Sequence, residues 1–209
     1  MRSYCVLTGD LVASSELTPS DVDAALTTIE AASAAMANWT SPAIMSHFAR
    51  RGGDSWQVAL DSPAFGMRAS LYIQACLRRD SANAVTRIAL ATGQGTLPSN
   101  GDLNAAHGPA FTASGRLLGD IRGNARFAHA GGGASHAALR LADHIAAGWT
   151  QAQARAMAAL LPPNALTRAE VAKSIGITRQ AVNQALWSAG YPAIEDALKA
   201  VETDVEECK

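Results

Sequence analysis

The chain is short of cysteine, of surplus charge and of long apolar runs, and each shortage removes a class of protein. Cys5, Cys76 and Cys208 are odd in number and far apart. They encode neither a disulfide framework nor a metal-ligand spacing, and fit reduced thiols in a cytosol. Seventeen Lys and Arg against eighteen Asp and Glu leave a formal charge of −1. A whole-chain polycation is thereby excluded, and any contact with nucleic acid must come from a local patch. The longest charge-free stretches, such as Ala31 to Phe48, are broken by Asn, Thr, Ser, Pro and His, so no membrane span is expected. The start runs straight into strand-like residues with no basic region and apolar segment of a signal peptide, which predicts a cytoplasmic protein. No internal repeat is present. What remains is 48% hydrophobic and 17% charged over 209 residues, enough for one large or two small domains without a large disordered region.

Periodicity and punctuation then place the elements. Tyr4 to Leu7 reads as a buried strand ending at Thr8-Gly9-Asp10. Thr18-Pro19-Ser20-Asp21 opens a helix that continues through Val22, Leu26, Ile29, Ser33 and Met36. Ile44 to Arg51 and Ser55 to Leu60 form a hairpin around Gly52-Gly53-Asp54. Ser62-Pro63 opens a second helix to about Arg79. Thr86 to Thr92 is a strand ending in flexible Gly93-Gln94-Gly95, followed by a helix from Pro109 to about Leu118 and a short strand near Arg126 to Ala130. The order predicts an α+β, ferredoxin-like α/β sandwich with helices on one face of the sheet. After Gly131-Gly132-Gly133 everything is helical. The expected units are 1–131, connecting helices over 134–161 with Thr150 as a cap, and a helical domain over 162–209.

Within that last unit, Arg168 to Trp187 has the spacing of a helix-turn-helix. Ala172 is small where two helices cross, and Gly176 sits in the turn, where a left-handed backbone favours glycine. Val171, Ile175, Ile177, Val182 and Leu186 supply an apolar seam. Thr178 caps the second helix and leaves Arg179, Gln180, Asn183 and Gln184 outward, side chains of the types that reach bases and phosphates in a major groove. With Arg168 and Lys173 they form the candidate surface for double-stranded DNA. The competing reading is a helical bundle for dimerisation or protein contact, since basic residues are few and Glu202 to Glu207 is acidic. Trp39, Trp149 and Trp187 read as helix-end packing residues. His136 and His144, eight residues apart, are too distant to share a ligand.

In the front unit, Asp10 and Asp54 meet at one end of the sheet if their strands are neighbours. Such a pair can hold one or two Mg²⁺ ions, which bridge to phosphates. Gly9, Gly52 and Gly53 would let the backbone approach a phosphate; the alternative is ordinary turn chemistry.

Thr8-Gly9-Asp10-Leu11-Val12, followed by Arg50-Arg51-Gly52-Gly53-Asp54-Ser55-Trp56, resembles the two metal-binding segments of class III nucleotide cyclases. Residues Arg87 to Gly93 look like their next strand, and Gly108 to Leu117 like their Gly-x-x-Val-Asn-x-x-x-Arg-Leu helix. The similarity covers about residues 3–130. Joined to a C-terminal helix-turn-helix, it looks most like the SatD family. The resemblance implies Asp10 and Asp54 as ligands of Mg²⁺ or Mn²⁺, and Gly9, Leu11, Arg50, Gly52 and Gly53 as nucleotide-binding positions. It implies Arg116 as the group meeting charge that develops in phosphoryl transfer, and a homodimer in which carboxylates and arginine come from opposite subunits. Thr112 stands at a catalytic position where the pattern has Asn, Arg50 where a base-reading Lys is usual, and Ala105 where its polar partner would be. The diguanylate cyclase domains are also similar at Arg51 to Asp54, but Ser55 replaces their acid.

Together these readings predict a transcriptional regulator whose cyclase-like domain binds a nucleoside triphosphate or cyclic nucleotide with Mg²⁺ and signals to the helix-turn-helix. The alternative is an active nucleotidyl cyclase or nucleotidyl-transfer enzyme using Asp10 and Asp54 for two-metal catalysis; a third reading is a front domain that only dimerises.

Overall fold

The computed structural model describes residues 2–207; Cys208 lies outside them. Five strands, β1 (Arg2–Leu11), β2 (Ser46–Arg50), β3 (Ser55–Leu60), β4 (Thr86–Gly95) and β5 (Phe127–His129), form one sheet in the order β2-β3-β1-β4-β5. Helix α1 (Pro19–Met36) starts where Thr18 and Asp21 close a capping box, Thr18 Oγ1 accepting from the Asp21 amide at 3.2 Å and Asp21 returning the bond. Helix α2 (Gly66–Asp80) links β3 to β4, and α3 (Pro109–Asp120) links β4 to β5. The β1-α1-β2-β3-α2-β4 order is the α+β sandwich expected, with α3 and β5 appended.

Strand alternation sorts the core. Cys5, Leu7 and Leu11 join Trp56, Val58, Leu60, Ile88 and Leu90 under α1 and α2. Tyr4, Val6 and Ala59 face the other way and pack on Ala110 and Phe111 of α3. Helices therefore cover both faces, not one as the element order suggested. This also sets the hands of two crossovers against each other. Strands β3 and β4 are both antiparallel to β1, and the steps from β3 to β4 and from β4 to β5 run the same way across the sheet. With α2 and α3 on opposite faces, the two crossovers have opposite hands. Since about 98% of such connections are right-handed, one of the two is an exception to that rule. A second correction concerns Gly93 to Gly95. These residues are not a flexible end but strand, paired with Arg2 to Tyr4, and the missing side chain at Gly95 makes room for the Phe111 ring.

The C-terminal helices are α4 (Gly133–Ala147), α5 (Gln151–Leu160), α6 (Arg168–Ile175), α7 (Arg179–Ser188) and α8 (Tyr191–Glu207). Thr150 caps α5 as expected, in a box with Gln153. Helix α2 is buried at every residue from Gly66 to Leu77, because the sheet covers one side and these helices cover the other. One buried apolar cluster runs from the sheet through α2 to Leu186, Ile194 and Leu198. Arg68 of α2, 3% exposed, donates to the Leu161 carbonyl at 2.7 Å and pairs with Glu195 and Glu202 of α8. The Trp149 indole donates to the Ala189 carbonyl at 2.9 Å. The segment from 162 onward thus shares a core with the α/β part. No described helix is long and apolar enough to cross a membrane.

Candidate functional site

Asp10 lies within β1 rather than beyond it, opposite Ser55 of β3 and Arg87 of β4. The β2–β3 hairpin turns on Gly52 and Gly53, at φ 87° and 56°, and brings Asp54 to the same sheet end, where its carbonyl accepts from the Leu11 amide at 3.3 Å. The structure therefore brings the two residues to one end of the sheet. Arg87 stands beside them: its Nε donates to Asp10 Oδ1 at 2.8 Å and its Nη2 to Oδ2. The Arg87 guanidinium is held above its ordinary pKa by the hydrogen bond to Asp10, against a desolvation that lowers it, with the Asp10 and Asp54 charges adding to the rise. Asp54 is thus within electrostatic reach of the same arginine.

Beneath this end, the α3 face carries a line of satisfied polar groups. Arg51 donates to Gln57 Oε1 at 2.5 Å and to the Leu103 carbonyl at 2.9 Å. Gln57 Nε2 donates to Thr8 Oγ1 at 2.9 Å, so the Thr8 proton goes to Ser114 Oγ at 2.8 Å and the Ser114 proton to the Phe111 carbonyl at 3.1 Å. Every member has its partner, so this line fixes α3 on the sheet. Gly9 faces the opposite side, where an added Cβ would fall 2.4 Å from the Trp56 ring and 2.5 Å from the Arg87 carbonyl. Its smallness serves the buried indole, whose Nε1 donates to Thr86 Oγ1 at 2.9 Å. Around Gly52 and Gly53 there is open space.

The other positions spread out. Arg50 lies on the α1 face and pairs with Asp23 at 2.6 Å, both side chains well exposed. Thr112 and Arg116 lie on the exposed outer side of α3, and Arg116 makes no hydrogen bond or ion pair with another described residue. The site's own donors are two hard carboxylates; among the described residues no cluster of three or more His, Cys, Asp or Glu is suited to a metal ion. Two carboxylates fit Mg²⁺ or Mn²⁺ if water and a ligand's phosphates complete the shell, which is how Mg²⁺ is commonly bound. Arg87 is the residue that sequence reasoning missed. Its place opposite Asp10 follows from strand register, and no local motif marks it.

The second candidate surface is on α6 and α7. Thr167 and Glu170 box the start of α6, and Gly176 ends it at φ 71°. Thr178 Oγ1 accepts from the Ala181 amide at 3.1 Å, so this hydroxyl is used as the cap of α7. Val171, Ala172, Val182 and Leu186 are buried, while Lys173, Arg179, Gln180 and Gln184 are exposed. Asn183 is half-buried and accepts from Arg168 Nη1 at 3.1 Å, so this pair ties α6 to α7. Two expectations need correction. Ile177 is 42% exposed and outside the seam, and Trp187 is 69% exposed on α7 where packing was expected. Trp39 and Trp149 are buried. The acidic α8 is partly neutralised, because Glu195 and Glu202 are turned onto Arg68.

No protein-family model and no curated protein matches the chain. Among solved structures it is similar to the guanylyl cyclase Cya2, at 18% identity and TM-score 0.44 over 59% of this chain and 72% of that one. It is also similar to a bacterial light-regulated adenylyl cyclase, at 16% identity and TM-score 0.44 over 61% and 75%.

Proposed function

We propose that this protein is a DNA-binding regulator, with α7 as the recognition helix and a nucleoside triphosphate, held with Mg²⁺ at Asp10 and Asp54, as its signal. One observation carries the reading: α7 follows a left-handed glycine turn, buries its apolar side on α6, and leaves Arg179, Gln180 and Gln184 free on the other. These are the side chains that read base edges and phosphates, at the end of the helix that enters a major groove. The turning of Glu195 and Glu202 onto Arg68 favours it, since it removes acid from the helical face. Helix α2 lies between sheet and α8, so an altered sheet end has a packed route to the helices behind. Such a signal requires the nucleotide to bind two arrangements with different affinity. Arg116, exposed on α3, would serve the carboxylates of a second copy in a homodimer, which would also pair two α7 helices for a palindromic operator.

The nucleotidyl-transfer reading is favoured by the shared sheet end of Asp10 and Asp54 alone. Both readings are tested with one preparation. Anisotropy of labelled genomic fragments, titrated at several salt concentrations with and without ATP or GTP and Mg²⁺, should show affinity that falls with a slope of about −0.9 per neutralised phosphate. Absence of any salt-sensitive binding overturns the regulator. A cyclic or transferred product found by mass in the same mixtures establishes the enzyme.

A further inference from the structure

Arg78 and Arg126 come to the sheet end where β4 and β5 begin. Gln74, one turn before Arg78, bonds the Ala84 carbonyl and the Thr86 amide, and the Arg126 carbonyl accepts from the Ile88 amide at 2.7 Å. Asp80 and Asp143 are the acids of α2 and α4. The acids are already committed. Asp80 takes both hydrogen bonds of Arg79, at 2.6 and 2.8 Å, and one from Thr28. Asp143, almost fully buried, accepts from the amides of Arg126 and Phe127 and from the Arg140 guanidinium. Arg78 and Arg126 are left over. Arg78 has only the Ala82 carbonyl as an acceptor. Buried, unpartnered N–H groups remain at Arg78 Nε and at Arg126 Nη1, two of three such side-chain atoms among the described residues. The two guanidiniums also feel each other: burial first, and then the Arg126 charge, lower the pKa of Arg78.

Two like charges with unused donors and no free carboxylate make an arrangement that an anion completes. We propose that Arg78 and Arg126 form an anion site that takes a phosphate group between their guanidiniums. The fork of each guanidinium matches phosphate oxygens bidentately. Both side chains are only part-buried, so a change of rotamer turns the unused donors outward. The site goes beyond the reading of Asp10 and Asp54 and needs no metal.

The test is the thermal midpoint in EDTA, titrated with inorganic phosphate or AMP against chloride at matched ionic strength. A bound anion raises the midpoint saturably. Saturation at similar concentrations of the two assigns the site to a bare phosphate group; much tighter AMP assigns it to a carried one. Arg78→Gln and Arg126→Gln should lose the rise and be at least as stable as the wild type without phosphate, because a repulsion has gone. Arg126→Lys, which keeps charge but not the fork, should retain part of it. Asp54→Asn should keep all of it, which separates this site from the carboxylates. No rise with either anion, or an equal rise in the Gln variants, or loss in Asp54→Asn, overturns the proposal.

Discussion

Arg87 and Asp10 face one another across β4 and β1 and are joined through both carboxylate oxygens, so a cation already occupies the coordinating edge of Asp10. A metal ion bound at that edge would have to displace the guanidinium. Arg87→Gln should therefore tighten Mn²⁺ binding in the absence of nucleotide, by about tenfold if the pair contributes about 1.4 kcal/mol. Asp54→Asn should abolish Mn²⁺ binding with little change of fold. Water-proton relaxation against Mn²⁺ concentration measures both. Unchanged affinity in Arg87→Gln would mean that Asp10 is not a ligand.

Arg68 should behave as a keystone between the sheet layer and α8. It is 3% exposed and bound to Glu202 at 2.6 Å, and removal of one member of a buried pair costs about 3–5 kcal/mol. Arg68→Met is expected near the lower end, since Glu195 and Glu202 keep some water. Glu202→Gln should cost less. A double-mutant cycle in urea, read by the denaturation midpoint, should show coupling above 0.5 kcal/mol. Additive losses would show that the pair is incidental.

Much of this architecture was legible because local chemistry and tertiary packing agree. Thr18 with Asp21, Thr150 as a cap, and Gly176 before Thr178 are signals complete within a few residues, and each stands where they place it. The shared sheet end of Asp10 and Asp54 needed only the guess that β1 and β3 are neighbours. What could not be read depends on distant partners. The sheet face chosen by α3 follows from Tyr4, Val6 and Phe111 meeting across more than a hundred residues. The Arg87–Asp10 pair follows from register, and Arg68 shows no sign in sequence that a helix from the far end will bury it. Trp187 failed for a related reason: its spacing suits packing, but no element arrives to cover it.

Trp187 gives a direct optical handle on α7. It is 69% exposed, whereas Trp39, Trp56 and Trp149 are at most 3% exposed. Acrylamide should quench one component of the emission, and Trp187→Phe should remove that component while leaving a blue-shifted, protected spectrum. If α7 enters DNA, the fragment should protect the same component. Arg179→Ala and Gln180→Ala should weaken this binding by about 1–3 kcal/mol each where a base is read, while Lys173→Ala should weaken all sequences alike. Unaltered quenching of Trp187 at saturating DNA would place the contact elsewhere.

The last prediction concerns pH and the junction between β5 and α4. His129 Nδ1 accepts from the Gly131 amide at 3.0 Å, and His136 Nδ1 accepts from the His129 amide at 3.1 Å. An Nδ1 that accepts carries no proton, so the bonding assigns each ring the tautomer protonated at Nε2. Burial first, and then His136, lower the pKa of His129 below 6.5. The unfolded chain therefore binds a proton at higher pH than the folded one. The stability that His129 contributes is fully present above about 6.5 and is lost as pH falls through the window down to its lowered folded value. Protonation would also set two N–H groups against each other at Gly131, beside Gly132 and Gly133, whose φ values of 65° and 59° turn the chain into α4. His129→Asn keeps an acceptor for the Gly131 amide but cannot titrate. Urea midpoints between pH 7.5 and 5 should fall more steeply for the wild type than for His129→Asn. Equal slopes would remove His129 from the acid response of the fold.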